Sequence, residues 1–416
     1  MVRGLQKEIS DTLLSASPDV AQLQVKLEKD LSLSPEDAQT LLYEVTAKLN
    51  ATFFPAVTSL ELILTEGCNL ACSYCFEKYM LAHKRMPLEI ARSAVDLLFD
   101  YSRDEKDLSL THFGGEPMMN FQAVKYVTEY AEEKAALLGK TIHFRMTTNG
   151  TLLNENNIDY LVQHKIGVLV SIDGLRATHD RFRVDKRGRG TFDKVIKGLE
   201  MLKRSQKWIG VKITVMPENA QNLFNDVLGL RELGVNQFVI GYATGINWSR
   251  EDMETYSNEL GKAFQWYKQA SHRDLRIDDF DEIDTETSFF GCQAGRSSIS
   301  ITINGEISPC SKILALNNKQ LLAKLGSTQH GLTHLYNRFE LVSCSRLQSA
   351  CQAQGIAEDF QGGCFVENYE ENQDLFQPST QGYIFSKLMR SACSGCNAST
   401  ASKPVLIAAD SISVRR

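Results

Sequence analysis

Apolar positions recur at two spacings along this chain, and the change of spacing divides it. Over residues 1–50 the spacing is helical. Val20, Leu23, Val25, Leu27 and Leu31, then Ala38, Leu41, Leu42, Val45 and Leu49, form stripes near a period of 3.6 residues. Ser17-Pro18-Asp19 and Ser34-Pro35-Glu36-Asp37 stand before the two stripes. Each reads as a helix start, with a serine N-cap, proline at the first helical position and acids in the first turn. Helices this short bury little by themselves, so they are expected to pack on the following domain or on a partner.

From residue 57 short apolar runs alternate with helical stripes. The runs predict strands at 60–64, 108–113, 142–147, 168–172, 211–215 and 237–240. The stripes predict helices at 87–101, 121–138, 154–164, 192–203 and 220–233. Six such β/α repeats require a parallel sheet with helices outside, and they fall short of the eight that close a full barrel. The expected fold class is α/β: a partial (β/α)6 TIM-like barrel, open on one side to a large substrate.

In such sheets the chemistry lies at the carboxyl ends of the strands. The first strand runs into Thr65-Glu66-Gly67-Cys68-Asn69-Leu70-Ala71-Cys72-Ser73-Tyr74-Cys75-Phe76. Three thiolates at this spacing can hold a [4Fe–4S] cluster and leave one iron without a protein ligand. A structural zinc site prefers paired C-x₂-C knuckles or Cys/His sets with four closed ligands. A disulfide set is disfavoured by the odd local count. The next strand ends are Gly114-Gly115-Glu116-Pro117, Thr148-Asn149-Gly150 and Ser171-Ile172-Asp173-Gly174. Any one of these could be an ordinary turn. Four on one rim are better explained by a shared ligand.

Composition narrows the class. A chain of 416 residues exceeds one comfortable core, so two or three domains are expected. A net charge of −6 argues against nucleic acid or an anionic membrane as the main partner. No apolar run approaches the roughly 20 residues that span a bilayer. The start, Met1-Val2-Arg3-Gly4, lacks the apolar core of a signal peptide, so a cytoplasmic location is expected. Ten cysteines in a reducing compartment read as ligands rather than as a disulfide framework.

Cys68-x₃-Cys72-x₂-Cys75 followed by Gly-Gly-Glu-Pro, Thr-Asn-Gly and Ser-x-Asp-Gly resembles the radical S-adenosylmethionine (SAM) superfamily over about residues 57–242. The resemblance implies that Cys68, Cys72 and Cys75 ligate the cluster and that SAM chelates its open iron. It implies Tyr74 near the adenine, Gly114, Gly115 and Glu116 around the SAM amino group, and Asn149 and Ser171 along the ribose and carboxylate. Arg183 resembles the arginine that pairs with the SAM carboxylate, and Arg181 competes with it for that role. One electron from the cluster would break the SAM carbon–sulfur bond, and the resulting 5′-deoxyadenosyl radical would abstract hydrogen from substrate. An electron donor such as flavodoxin or ferredoxin is then an implied partner.

Seven further cysteines follow a charged connector that ends in Asp278-Asp279-Phe280-Asp281-Glu282: Cys292, Cys310, Cys344, Cys351, Cys364, Cys393 and Cys396. Gly305-x₄-Cys310, on a hairpin read at 298–303 and 307–309, resembles the start of the SPASM extension. That extension holds two auxiliary [4Fe–4S] clusters in peptide-modifying radical SAM enzymes. The count of seven fits, but the spacing of Cys344, Cys351 and Cys364, with Cys393-x₂-Cys396 last, fits only in part. A zinc ribbon is the alternative here. Three [4Fe–4S] clusters have twelve irons, and SAM takes one; the ten cysteines leave one auxiliary iron open or held by another group.

The expected layout is a helical extension (1–56), a radical SAM partial barrel (57–242), a connector (243–290), a SPASM-like domain (291–397) and a flexible tail (398–416). The expected function is maturation of a ribosomally made precursor peptide by thioether or carbon–carbon cross-linking or by excision. A separate leader-recognition protein is a possible second partner, because residues 1–50 lack the strands of a winged-helix leader-binding domain. Three alternatives stand: a sulfatase-maturing enzyme, a radical SAM enzyme on a small molecule, and a non-enzymatic iron–sulfur or zinc scaffold. Sulfatase-maturing relatives carry an aspartate base directly after the cysteine matching Cys310, where this chain has Ser311.

Overall fold

The computed structural model describes residues 2–269, 274–278, 292–316, 323–356, 360 and 362–393. Three helices open the chain: α1 (Val2–Leu13), α2 (Val20–Leu31) and α3 (Pro35–Phe53). Ser34 caps α3 as its sequence predicts, with its Oγ accepting from the Asp37 N–H at 3.1 Å. The cap of α2 is Asp19 rather than Ser17: the Asp19 carboxylate accepts from the Gln22 N–H at 2.9 Å. A carboxylate at that position satisfies an orphan donor and meets the positive end of the helix.

The repeats follow in order: β1 (Ser59–Ile63), α4 (Leu88–Tyr101), β2 (Asp107–Phe113), α5 (Phe121–Leu138), β3 (Thr141–Thr148), α6 (Glu155–Gln163), β4 (Gly167–Ser171), α7 (Arg176–Phe182), α8 (Phe192–Ser205), β5 (Gly210–Val215), α9 (Leu223–Glu232), β6 (Gln237–Tyr242) and α10 (Arg250–Gln269). All six expected strands are present. Three details differ from the expectation. Helix α7 was not expected, a short 3-10 turn over Pro217–Asn222 precedes α9, and α10 occupies the stretch read as connector. Helix α10 buries Met253, Tyr256, Leu260, Ala263 and Phe264 on one face, a stripe hidden among many charges. Residues 279–282 of the acidic run lie outside the described residues. The remaining elements are β7 (Arg276–Ile277), β8 (Ser298–Ile301), β9 (Glu306–Ser308), α11 (Ser311–Leu314), β10 (Gly326–Ser327), α12 (Leu335–Ser343), α13 (Ser345–Ala353), α14 (Phe365–Asn372) and α15 (Thr380–Cys393).

The chain forms two compact units. One holds residues 1–68, 79–146 and 293–343. In it β1 lies between β2 and β8, parallel to both, and β2 pairs in parallel with residues 141–146 of β3. The hairpin of β8 and β9 and the antiparallel β10 continue the sheet. Leu60, Leu62 and Ile63 of β1 and Ala91, Ala94, Val95 and Leu98 of α4 are buried in its core. The opening helices pack as an extension of this unit: Ile9, Leu13, Leu23, Leu27, Ala38, Leu42 and Phe54 cluster with Leu335 of α12. Arg338 pins the same region. Its buried guanidinium donates to the carbonyls of Gly295, Pro55 and Arg296 and to Asn50 Oδ1, and it lies over the Phe54 ring.

The second unit holds residues 69–78, 147–292 and the chain from Cys344 onward. Strands β4, β5, β6 and β7 form a parallel sheet in that order. Val170, Val211, Ile213, Phe238 and Ile240 fill its core. Helix α10 packs on α9 and α15. Beside them Tyr242 stacks on Phe385 with ring centroids 4.0 Å apart, and Trp248 and Tyr256 meet the pair edge-on.

Candidate active site

At the end of β1, Thr65 Oγ1 accepts from the Gly67 N–H at 2.9 Å and shapes the approach to Cys68. The end of β2 lies flush against this turn. Gly115 donates its N–H to the Thr65 carbonyl at 3.0 Å, and Glu116 donates its own to the Gly67 carbonyl at 2.9 Å. A Cβ on Gly114, whose φ is +126°, would lie 2.3 Å from the Thr65 carbonyl oxygen, and one on Gly115 would lie 2.6 Å from that of Gly67. Only glycine fits either position. Glu116 is buried, and its carboxylate accepts from the Met118 N–H at 3.0 Å. Cys68 is a half-buried thiol.

In the second unit, residues 69–78 carry Cys72, Tyr74 and Cys75 past the ends of β4 and β5. The loop backbone is paired with the chain after α7: the Ala71 N–H donates to the Val184 carbonyl at 2.8 Å and the Ser73 N–H to that of Phe182 at 3.1 Å. Asn149 donates Nδ2–H to Asn69 Oδ1 at 2.9 Å, and its own Oδ1 accepts from the Thr151 backbone and hydroxyl. Ser171 is buried at the last position of β4. The centre of the arrangement is Asp173, which is 1% exposed. It accepts from the Tyr74 hydroxyl at 2.5 Å, from Arg183 Nε at 2.9 Å and from the Thr214 N–H at 3.0 Å. Arg183 also lies over the Tyr74 ring at 5.3 Å. Arg181 is exposed, so of the two arginines only Arg183 faces this buried set.

The Ser-x-Asp-Gly turn is fixed from behind by a second buried carboxylate. Asp226 of α9 accepts from the Leu175 N–H and from the Thr178 hydroxyl, both at 2.7 Å. A Cβ on Gly174, whose φ is +157°, would lie 2.3 Å from its carboxyl carbon. Neither Asp173 nor Asp226 was among the residues expected to bind. A signal existed for Asp226: it is an acid in line with Leu223, Val227 and Leu230 on the buried face of α9. Asp173 stood within a quoted motif, but nothing local showed which groups its carboxylate would gather.

Electrostatics follow the burial. Burial pushes the Cys72 thiol above its usual value, and the Arg183 guanidinium opposes that by its charge and by a hydrogen bond. Burial raises Cys75 to about 11 and raises Asp226 from its ordinary value. Burial works against the charge on Arg183, yet Asp173 keeps it firmly protonated. Half-buried thiols held protonated in this way become ligands when a metal displaces the proton. The Cys72 and Cys75 thiols and the buried cation beside them fit an iron–sulfur cluster loop.

The later cysteines lie at helix starts. Cys310 precedes α11, Cys344 precedes α13 in a left-handed conformation (φ +53°), and Cys364 precedes α14. Cys351 is buried within α13, and burial raises it to about 11. Cys292 is half-buried. Cys393 ends α15, and its side chain and Cys396 lie outside the described residues. Among the described residues no three His, Cys, Asp or Glu side chains are gathered at metal-holding distance.

Residues 62–227 match the model of the radical SAM superfamily. An uncharacterized protein of Methanocaldococcus jannaschii is 30% identical over 42% of this chain and 59% of its own length. The antilisterial bacteriocin subtilosin biosynthesis protein AlbA of Bacillus subtilis is 24% identical over 77% of this chain and 70% of its own. A cysteine-type anaerobic sulfatase-maturating enzyme of Clostridium novyi is 25% identical over 53% of this chain and 62% of its own. The match thus spans about three fifths of the first of these relatives. Among solved structures, anSMEcpe with bound AdoMet superposes with a TM-score of 0.64 at 19% identity, covering 81% of this chain and 98% of that one. Streptococcus suis SuiB bound to precursor peptide SuiA gives a TM-score of 0.57 at 18% identity, covering 86% of each chain. The fold is therefore that of these proteins.

Proposed function

We propose, from the premise that residues 62–227 are a radical SAM domain, that this chain is a radical SAM enzyme that matures a precursor peptide. The observation that carries the reading is the set of half-buried Cys72 and Tyr74 with buried Asp173 and Arg183, which puts a fixed cation and an aromatic ring beside two thiols at the strand ends. Cys68, Cys72 and Cys75 hold the cluster in this reading. When bound, the cluster and SAM supply an electron and a hydrogen-abstracting radical. Asp173 orients Arg183 through Nε, so the guanidinium edge can present paired donors to a carboxylate. Tyr74 is held by Asp173 where it can flank an adenine. Gly114 and Gly115 bring backbone close to an amino group, which Glu116 can balance, and Asn149 and Ser171 line the ribose side. Residues from Cys292 to Cys396 hold the auxiliary clusters.

The peptide substrate is supported by the relatives. AlbA takes part in subtilosin biosynthesis, and SuiB is bound to the precursor peptide SuiA. The sulfatase-maturating reading has relatives too, but Ser311 stands where those enzymes place a carboxylate base, and Ser311 is buried at the start of α11. The test is anaerobic: reconstituted, dithionite-reduced protein should convert SAM to 5′-deoxyadenosine, and a cognate peptide should change mass. No 5′-deoxyadenosine from iron-replete protein would refute the radical reading. Cleavage with turnover only on a sulfatase peptide would move the substrate to the second class.

A further inference from the structure

Residues 182–191 form a short hairpin along the cysteine loop. Leu70 bridges Asp185 and Val184 bridges Gly190, both antiparallel. The turn is closed by the Gly188 N–H on the Asp185 carbonyl at 2.9 Å and the Asp185 N–H on the Arg189 carbonyl at 2.8 Å. Gly188 takes φ +75°, a conformation that glycine adopts without strain. The Asp185 carboxylate accepts from the Arg189 side chain and from the backbone N–H groups of Arg187 and Arg189, which holds it down to about 2. Its charge is therefore committed within the hairpin. Lys186 and Arg187 at the tip are exposed and have no partner among the described residues, and Arg181 is exposed nearby. On the loop itself Ala71, Ser73 and Phe76 are exposed, and Cys72 and Cys75 are half-buried.

This basic tip runs against the balance of a chain with net charge −6. It is also carried on a hydrogen-bonded hairpin rather than a loose tail, so the tip's backbone is held beside the cysteine loop. Small, transient interfaces between redox proteins are steered by complementary charge at the rim.

We propose that the Lys186–Arg189 tip and the exposed face of residues 71–76 form the docking surface for an acidic one-electron carrier protein, which reduces the group held by Cys72 and Cys75. The inference rests on the radical SAM reading of that loop. In the encounter the carrier loses one electron and the cluster gains it, and no covalent bond forms or breaks. The cations attract the acidic carrier, and the exposed loop face brings it near the half-buried thiols.

The test uses the reconstituted full chain and a purified acidic flavodoxin in its hydroquinone form. Flavodoxin affinity is measured by calorimetry at low and near-physiological salt, and SAM cleavage is measured with flavodoxin or with dithionite as reductant. Lys186→Glu/Arg187→Glu should weaken flavodoxin binding by about tenfold at low salt and flatten its salt dependence. Dithionite-driven cleavage should stay within about twofold of wild type, which also reports an intact fold. Lys186→Gln/Arg187→Gln should fall between the two. Unchanged flavodoxin affinity overturns the proposal, as does an effect confined to peptide affinity. If wild type cleaves no SAM with either reductant, the radical reading fails instead, and the binding measurement still decides whether the tip takes an acidic carrier.

Discussion

A single buried carboxylate organises the candidate site. Asp173 compensates Arg183 in a pocket that leaves their side chains only 0% and 9% exposed. Removing one partner strands the other charge. Arg183→Met should therefore cost about 3–5 kcal/mol of stability by urea denaturation, and pairing it with Asp173→Leu should recover part of that loss. Buried histidine matters in a different way. Thr128 donates its hydroxyl proton to the Val124 carbonyl at 2.8 Å, so His112 Nε2 must be the donor in its 3.0 Å contact with Thr128. Burial lowers His112 to about 3, and protonation would add charge to a core beside Phe144. The unfolded chain takes up this proton below about pH 6.5 and the folded chain does not, so stability is full above that pH and declines as pH falls toward 3. His112→Gln should flatten the acid limb of stability by up to about 1.4 kcal/mol per pH unit, read from urea midpoints at pH 7.5 and 5.

Among elements, strands were more legible than helix ends. β1 through β6 fall within a few residues of their predicted bounds because each is a compact run whose apolar residues fill a buried face. Helix α7 is seven residues long, with Arg176, Asp180 and Arg181 among them, and is too short for a period to emerge. The cap of α2 lies two residues beyond the serine that the pattern predicts: a serine followed by proline looks like a start, yet only Asp19 reaches the Gln22 N–H. Asp19→Ala should cost about 1 kcal/mol in thermal or urea unfolding, while Ser17→Ala should stay within about 0.5 kcal/mol. Equal effects would restore the serine reading.

For the molecule as a whole, long-range contacts decide what the opening helices do. Arg338 lies far along the chain yet donates to Asn50, in the last turn of α3, and to the backbone of Pro55, Gly295 and Arg296. Burial lowers its guanidinium to about 9, so it stays charged at neutral pH. Arg338→Met would leave four acceptors in the interior without their donor. It should lower stability by at least about 3 kcal/mol, while α1 to α3 loosen first in hydrogen exchange. Retention of wild-type protection in α3 would mean that the apolar cluster around Leu27 and Leu42 suffices alone.

The chain's local patterns by themselves determined the six-repeat order, the cysteine loop and the turns at the strand ends, because spacing and turn chemistry are properties of neighbouring residues. Tertiary structure alone decided that Arg183 rather than Arg181 faces the buried set, that Asp173 and Asp226 hold it, and that Gly114 and Gly115 press against the turn before Cys68. Apart from the Asp173–Arg183 pair, those relations join residues 48 to 109 positions apart, as from Gly67 to Gly115, from Thr178 to Asp226 and from Tyr74 to Arg183. Close approach and charge compensation at such separations depend on how strands pair and which faces are buried, and no local period carries that information.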